Sequence, residues 1–310
     1  MSKPIHSFRS GRSQAKQLAI EMSRHGQSRH DAKVSGDKGG IQGIGTERAT
    51  KQALAQFGEW LHRERLGDLR TCGREAVVCY LEQRAGEVRQ ASLDMERQGL
   101  DRLQRHLHGQ GTEPLPRIKS ELVTIRETRA YSANQLAAIR AAQSPKHALM
   151  TELCERCGLR AHEGFTILPL KEQPPSGHRE WRSERFTGTG VPYTVIGKGG
   201  LCRQIQVPFF LAARLESYRL AVPERVCDRG IFYTRAYSVG AGQNWSQSFS
   251  SASKRVLGWS TGGHGARHSY IQRLVSGYQQ AGYSYNDALL LASQCAGHFR
   301  ASIVSDFYLR

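Results

Sequence analysis

The sequence of 310 residues lacks any apolar run of 18 residues, so no segment is expected to cross a bilayer. No apolar segment follows Met1 either, so we expect no secretory signal and a cytoplasmic location. The seven cysteines are odd in number and scattered, which is typical of reduced intracellular thiols and not of a disulfide framework. The apolar fraction of 39% excludes wholesale disorder. These features together indicate a globular protein.

Acidic residues are scarce relative to basic ones, with 27 Asp and Glu against 44 Lys and Arg, which gives a net charge of +17. Residues 1–150 carry 25 basic and 16 acidic side chains, and residues 151–310 carry 19 and 11. The excess is therefore not confined to one tail. A folded chain with an isoelectric point near 9.9 is typical of proteins that bind a polyanion, most often nucleic acid. An anionic membrane surface is the alternative partner.

Apolar spacing and chain breakers divide the sequence into four parts. Residues 1–45 are rich in Ser, Gly and His and predict a basic, flexible arm with at most one short helix. Residues 46–108 predict a small domain of three helices, with Thr46 as the first N-cap. Glycines and prolines in residues 109–131 predict a linker.

Residues 132–310 contain both helix-like and strand-like patterns. Ser132 and Gln135 fit a capping box at the start of a helix. Short strands are predicted at 165–170, 193–196 and 204–207, and helices resume near Phe249. We therefore predict an α+β chain: an N-terminal helical domain, then a mixed, mostly helical domain with a small antiparallel sheet.

Five short segments within residues 132–310 carry side chains that could take part in a reaction. They are Gly158-Leu159-Arg160-Ala161-His162-Glu163, Ile196-Gly197-Lys198-Gly199-Gly200, His264-Gly265-Ala266-Arg267-His268, Gly297-His298, and Tyr308. Each segment alone has an ordinary explanation: a surface arginine, a solvated turn lysine, a polar helix face or a packed aromatic. The Gly-x4-Gly-Lys-Ser/Thr phosphate loop is absent around Lys198. The ordered set within a basic chain is more specific than any one segment.

The ordered set resembles the tyrosine recombinase family, which includes the phage integrases. The family motifs are Gly-Leu-Arg-x-x-Glu, a lysine on a β-turn, His-x-x-Arg-His, Gly-His, and a tyrosine shortly after. The resemblance implies six catalytic residues, namely Arg160, Lys198, His264, Arg267, His298 and Tyr308, and Glu163 matches the acidic position. It covers residues 132–310, and residues 46–108 look like the family's core-binding domain, which binds DNA.

The resemblance implies a site-specific DNA recombinase or integrase, typical of mobile genetic elements. Such an enzyme cleaves and rejoins double-stranded DNA through a 3′-phosphotyrosine, without ATP, cofactor or metal. Arg160 and Arg267 would fork onto the scissile phosphate and His298 would add a donor. His264 would take the proton of Tyr308, and Lys198 would protonate the departing 5′ oxygen.

Other side chains compete for these roles. Four tyrosines lie between His264 and His298, namely Tyr270, Tyr278, Tyr283 and Tyr285. The family order places the nucleophile after the Gly-His pair, which leaves only Tyr308. Cys154-x-x-Cys157 has no second cysteine pair at zinc spacing, and we interpret it as two buried thiols on a helix.

Two alternative functions share the residues: a type IB topoisomerase-like enzyme that relaxes DNA, and a catalytically silent DNA-binding protein of the same fold. For a recombinase, the family implies four protomers on two duplexes, a nucleoid-associated location and no membrane partner. The motifs are common to integration, excision, resolution and inversion, and they do not include the side chains that read the target sequence.

Only Leu309 and Arg310 follow Tyr308 in the sequence. Many family members continue into a tail that docks on the next protomer, and two extended residues span only about 7 Å. We therefore expect no tail exchange, a monomer in the absence of DNA, and subunit coupling through the N-terminal region or an accessory protein. A shortened sequence, or donation of the Tyr308 helix to a neighbouring protomer, are the alternatives.

Overall fold

The computed structural model describes residues 10–27, 32, 34–123, 127–186 and 188–309, and it describes Lys198 by its backbone alone. The chain forms two compact units, residues 1–125 and 126–310. The boundary falls inside the predicted linker. No helix within the described residues combines the length and the apolar character that spanning a bilayer requires.

The first unit is helical. Its helices are α1 Gly11–Glu21, α2 Ile44–Arg63, α3 Arg74–Ala85 and α4 Gln90–His108. The last three match the three predicted helices. They share an apolar core of leucines, in which the ring of Tyr80 packs at an angle against the rings of Phe57 and Trp60. The predicted cap at Thr46 is wrong, because α2 begins at Ile44 with Gly43 as its N-cap.

The prediction of a flexible arm over residues 1–45 is wrong for the part that the structure describes. Helix α1 packs along α2, and its residues Ala15, Leu18 and Ala19 are fully buried. Met22 and Ile41 belong to the same core. Small alanines spaced three to four residues apart provide a narrow apolar face, which the surrounding Ser, Gly and His residues obscure in the sequence. Residues 1–9 of the predicted arm lie outside the described residues.

Part of the predicted linker also belongs to a unit. Leu115 is buried in the core of the first unit, and the backbone N–H of Glu121 donates to the carbonyl of Ala85. Tyr131 is buried in the core of the second unit. Both ends of the predicted linker are therefore packed on a unit, the first end through Leu115 and Glu121 and the second through Tyr131.

The second unit contains seven helices within its described residues. They are α5 Ala133–Ala141, α6 Pro145–Cys157, α7 Phe209–Glu216, α8 Gly242–Leu257, α9 His264–Gln280, α10 Tyr285–Cys295 and α11 Ala301–Phe307. The capping box at Ser132 is confirmed, with both of its hydrogen bonds present.

Two antiparallel sheets complete this unit, which confirms the predicted α+β class. The first has the order β1 Leu168–Pro169, β2 Val191–Ile196 and β3 Cys202–Val207. The second is a hairpin of β4 Arg219–Asp228 and β5 Ile231–Tyr237. The predicted strand at 165–170 shrinks to two residues, because residues 163–165 form a 3-10 turn.

The helix ends of this unit bring the motif residues together. Helix α6 ends at Gly158, just before Arg160, and α9 begins at His264. A tight turn at Gly297 separates α10 from α11, and Tyr308 is the C-cap of α11. Residues of α9, α10 and α11 share one apolar core, which fixes these ends relative to one another.

Candidate active site

Five of the six predicted catalytic side chains form one cluster in the second unit: Arg160, His264, Arg267, His298 and Tyr308. Lys198, the sixth, begins a 3-10 turn of residues 198–200 between β2 and β3, at the predicted hairpin tip. Its side chain lies outside the described residues.

Arg160 follows the end of α6 and is partly buried. Its Nη1 donates to Oε1 of Glu163 at 2.7 Å, and its backbone N–H donates to Oε2 of the same carboxylate at 2.8 Å. Its Nη2 donates to the carbonyl of Ala296 at 3.2 Å and lies 3.3 Å from Nε2 of His298. Glu163 therefore holds one terminal nitrogen of the guanidinium and Ala296 holds the other, which fixes the orientation of the group.

Arg267 lies on the first turn of α9 and is fully buried. Its two terminal nitrogens donate to the carbonyls of Gly158 and Ala296. Burial and then the charge of Arg160 lower its pKa to about 10, which keeps the group charged at neutral pH. Arg160 and Arg267 therefore share the Ala296 carbonyl and hold two positive charges side by side.

The phenol of Tyr308 lies next to Arg267. Its oxygen is 3.5 Å from Nε of Arg267 and 3.5 Å from Nε2 of His264. The ring of His268 packs on the Tyr308 ring, with centroids 4.6 Å apart. The side chain of Tyr308 is 5% exposed, and the backbone carbonyl accepts a hydrogen bond from Gln272. The phenol thus contacts a cation and an imidazole.

Both histidines of the cluster are neutral at ordinary pH. Partial burial and then the charge of Arg267 lower the pKa of His264 to about 3 and that of His298 to about 4. His264 nevertheless remains exposed at the start of α9, so the cluster is open to solvent on that side. A neutral imidazole beside a phenol is able to accept its proton.

Glu163 is the anion of the cluster and is fully buried. Burial acts to raise its pKa, but the charges of Arg203, Arg160 and Arg267 outweigh this and hold the pKa at about 2. Glu163, which matches the acidic position of the family motif, therefore lies in contact with the predicted site residue Arg160.

Arg203 is a member of this cluster that the sequence reasoning missed. It lies on β3, is fully buried, and donates to Oε2 of Glu163 at 2.7 Å. The sequence did contain a signal. Arg203, Ile205 and Val207 are spaced two residues apart on the strand, so the arginine lies on the same buried face as the two apolar residues. Three arginines and one glutamate give the centre an excess of two positive charges, which suits a phosphate group.

Two glycines make this packing possible. Gly158 has φ of 65°, and a Cβ there would lie 2.3 Å from the ring of Tyr270. Gly297 has φ of 70°, and its Cβ would lie 2.8 Å from Cδ of Arg203. Both positions favour glycine by backbone conformation and by space.

The competing side chains have other surroundings. Tyr270 and Tyr278 share the apolar core of α9, α10 and α11 with Tyr308, but the hydroxyl of Tyr278 donates to the carbonyl of Arg185 and not to the cluster. Cys154 and Cys157 are buried free thiols, as predicted, and burial raises the pKa of each. Within the described part of the chain, no three His, Cys, Asp or Glu side chains are arranged to hold a metal ion.

Comparison by sequence finds no family model that matches the chain and no curated protein that matches it. Comparison by structure finds clear similarity to the XerH site-specific recombinase bound to its difH substrate. In the pre-cleavage complex the TM-score is 0.56 at 14% identity, with 100% of this chain and 96% of that chain covered. The post-cleavage complex on palindromic difH gives 0.56 at 14%, with 99% and 95% covered.

A lambda integrase dimer bound to a COC′ core site is similar with a TM-score of 0.54 at 15% identity, and 98% of this chain and 82% of that chain are covered. The resemblance in the motifs and the likeness in structure thus point to the same fold. The chain has the fold of the tyrosine recombinases.

Proposed function

We propose that this protein is a site-specific DNA recombinase of the tyrosine recombinase family, with Tyr308 as its nucleophile. One observation carries the proposal. The Tyr308 oxygen lies 3.5 Å from both a buried guanidinium and a neutral imidazole, beside a second arginine that shares a carbonyl with the first. A tyrosine that merely packs in a core does not need a guanidinium and an imidazole at its oxygen.

The proposed step is an in-line displacement at phosphorus. The Tyr308 oxygen attacks the scissile phosphate, its proton passes to His264, and the bond from phosphorus to the 5′ oxygen breaks. Lys198 on the β2–β3 turn gives a proton to that oxygen, which leaves as a hydroxyl. The products are a 3′-phosphotyrosine and a free 5′ hydroxyl, and attack by a 5′ hydroxyl reverses the step. Because the phosphodiester is conserved in the protein–DNA link, rejoining requires no ATP.

The arginines supply the electrostatic part of the step. Attack places a second negative charge on the phosphate, and Arg160 and Arg267 present permanently charged, fork-shaped donors to its non-bridging oxygens. Nε2 of the neutral His298 accepts from Arg160, and His298 becomes a donor to the phosphate when that contact breaks and its proton moves from Nδ1 to Nε2. Removing one such donor costs about 100- to 1000-fold in rate.

The partner in this proposal is duplex DNA. The net charge of +17 supports it, since neutralised phosphates release counterions and strengthen binding at low salt. The structural neighbours XerH and lambda integrase were solved on DNA substrates, which is consistent with the same class of partner for this chain. We further propose a monomer in the absence of DNA and a homo-tetramer on two duplexes. Sedimentation of both states tests this, and a stable tetramer without DNA would refute it.

The test of catalysis is a suicide substrate, a nicked duplex whose 5′ fragment diffuses away after cleavage and so traps the covalent intermediate. The wild type should form a covalent adduct and Tyr308→Phe should form none, while both bind the duplex equally. Tyr285→Phe is the matched control, because this exposed tyrosine of α10 lies outside the cluster. Adduct formation by Tyr308→Phe would show that the nucleophile is another residue.

The products distinguish the alternative functions. A recombinase joins ends from two duplexes, whereas a type IB topoisomerase-like enzyme relaxes a supercoiled circle without exchanging partners. The duplexes should carry the DNA that flanks the gene. Relaxed circles without joined products would favour the topoisomerase-like function, and binding without adducts would favour a silent DNA-binding protein.

A further inference from the structure

Arg203 is not among the six residues to which the recombinase chemistry assigns a role, yet it occupies the centre of the cluster. Its guanidinium is buried behind the catalytic side chains on strand β3. Nη1 donates to the carbonyl of Cys295 at 2.7 Å. Nη2 donates to the carbonyl of Gly158 at 3.1 Å and to Oε2 of Glu163 at 2.7 Å. It thus binds the end of α6, the acidic residue after it and the end of α10.

These contacts are shared with the two phosphate-binding arginines. The Gly158 carbonyl that Arg203 holds also accepts from Arg267, and the Glu163 carboxylate that it holds also accepts from Arg160. The Cys295 carbonyl precedes the Ala296 carbonyl, on which Arg160 and Arg267 meet. Every direct partner of Arg203 therefore touches or adjoins a partner of Arg160 or Arg267.

The charges explain why a third arginine is needed. Glu163 is fully buried and has Oε1 on Arg160 and Oε2 on Arg203. Without Arg203, the full carboxylate charge would fall on Arg160 and Arg267, and in a buried site that attraction is only weakly screened. Glu163 would then neutralise one of the two positive charges of Arg160 and Arg267, and that charge would no longer stabilise the phosphate.

We propose that Arg203 is a positioning residue for the cleavage reaction. It neutralises Glu163 and fixes the carbonyls of Gly158 and Cys295, so that Arg160 and Arg267 keep both their orientation and their charge for the scissile phosphate. This inference rests on the proposed recombinase function. The glycine at 297 fits the same arrangement, because a side chain there would contact Arg203.

The experiment compares single-turnover cleavage of the suicide substrate, DNA affinity and thermal unfolding for a set of variants. Arg203→Met should slow cleavage about 100-fold, the lower end of the effect of losing one transition-state donor, with DNA affinity within about threefold of wild type since Arg203 touches no phosphate. Arg203→Lys should cleave at an intermediate rate, because a single ammonium keeps the charge but not the fork.

The decisive variant removes both charges of the pair. Glu163→Gln with Arg203→Met should cleave at least about tenfold faster than Arg203→Met alone, because the uncompensated carboxylate is gone; only residues that interact deviate from additivity in this way. A purely structural arginine predicts the opposite, with the double variant as slow as the single or slower.

Arg140→Met is the matched control. Arg140 pairs with the buried Glu155 between α5 and α6, away from the cluster, so its removal also strands a buried carboxylate. It should lower the unfolding temperature and leave the cleavage rate of the folded protein unchanged. A similar cleavage loss in this variant would mean that the Arg203 effect is only lost stability, and would overturn the inference.

The outcomes separate this inference from the proposed function. If the wild type forms no adduct, the recombinase proposal itself fails. If the wild type forms adducts and Arg203→Met cleaves within about threefold of it, or the double variant shows no recovery, Arg203 is not a positioning residue. If Arg203→Met does not fold, Arg203→Lys decides: a wild-type cleavage rate refutes the inference, and a slow rate with normal DNA affinity supports it.

Discussion

Replacing Arg267 by Met separates the stability of the second unit from its chemistry. Burial and then the charge of Arg160 lower the pKa of Arg267 from the usual range of a guanidinium to about 10. At about 1.4 kcal/mol per pKa unit, the buried site opposes the charge by about 3 kcal/mol. Methionine avoids this cost and is long enough to fill part of the same space.

The lost hydrogen bonds act in the other direction. Arg267 donates to two carbonyls, and each charged hydrogen bond contributes about 1.5–3 kcal/mol. Each carbonyl keeps a second donor, however: Arg203 remains on Gly158 and Arg160 remains on Ala296. We therefore expect the free energy of unfolding of Arg267→Met to stay within about 2 kcal/mol of the wild type, while cleavage falls about 1000-fold or more.

Urea denaturation and single-turnover cleavage of the suicide substrate measure the two quantities on the same preparation. Two results would refute the reasoning. A loss of more than about 4 kcal/mol would mean that Arg267 is held by net favourable interactions, and cleavage within about tenfold of wild type would mean that it does not bind the transition-state phosphate.

Three further predictions concern single positions. Lys198→Ala should cleave a normal phosphodiester slowly and a 5′-bridging phosphorothiolate at nearly the wild-type rate, because a thiolate leaves without a proton; equal defects on both substrates would exclude Lys198 as the acid. Gly297→Ala should destabilise the unit by about 1–3 kcal/mol in urea denaturation, whereas Gly277→Ala on α9, which has open space around it, should be neutral or stabilising. The pKa of His298 is lowered to about 4, so between pH 6.5 and 4 the unfolded chain takes up a proton that the folded chain does not. Stability should therefore fall as the pH drops through this window, by up to about 1.4 kcal/mol per pH unit, and His298→Asn should show a shallower dependence in urea titrations at pH 7, 6 and 5; an unchanged slope would show that His298 is not the group responsible.

The clustering of five of the six candidate side chains was predictable because the motifs record their positions directly. An arginine after a helix-ending glycine, a histidine and an arginine one turn apart, and a histidine after a second glycine each occupy the end of a helix. Helix ends converge in this unit, so side chains that lie far apart in the sequence meet. The order of the motifs was therefore sufficient to select side chains that lie together, while their catalytic roles stay predictions.

Arg203 and the hairpin of β4 and β5 were not predictable by the same reasoning. In a sequence, an arginine on a strand predicts a solvent-exposed position. The burial of Arg203 depends on its ion pair with Glu163, which is 40 residues away in the sequence. Strand β4 is exposed over most of its length, so its apolar and polar residues do not alternate as they do in a half-buried strand. Such a strand carries no periodic signal.

Helix α1 shows that composition alone can wrongly predict disorder. A basic stretch rich in Ser, Gly and His has the composition of a disordered arm. Four small or medium apolar residues at helical spacing, Ala15, Leu18, Ala19 and Met22, nevertheless suffice to bury one face against α2. Deleting residues 1–45 would therefore remove part of the core of the first unit, together with its positive charge.

Mapping the protein–DNA link tests the central claim most directly. The wild-type protein should be trapped on the suicide substrate and digested with protease and nuclease, and the modified peptide should be identified by mass spectrometry. We predict a 3′-phosphodeoxynucleotide on the phenolic oxygen of Tyr308, with a free 5′ hydroxyl on the released strand. A link to another tyrosine, a link through a 5′ phosphate, or the absence of any adduct on DNA that the protein binds specifically would contradict the account.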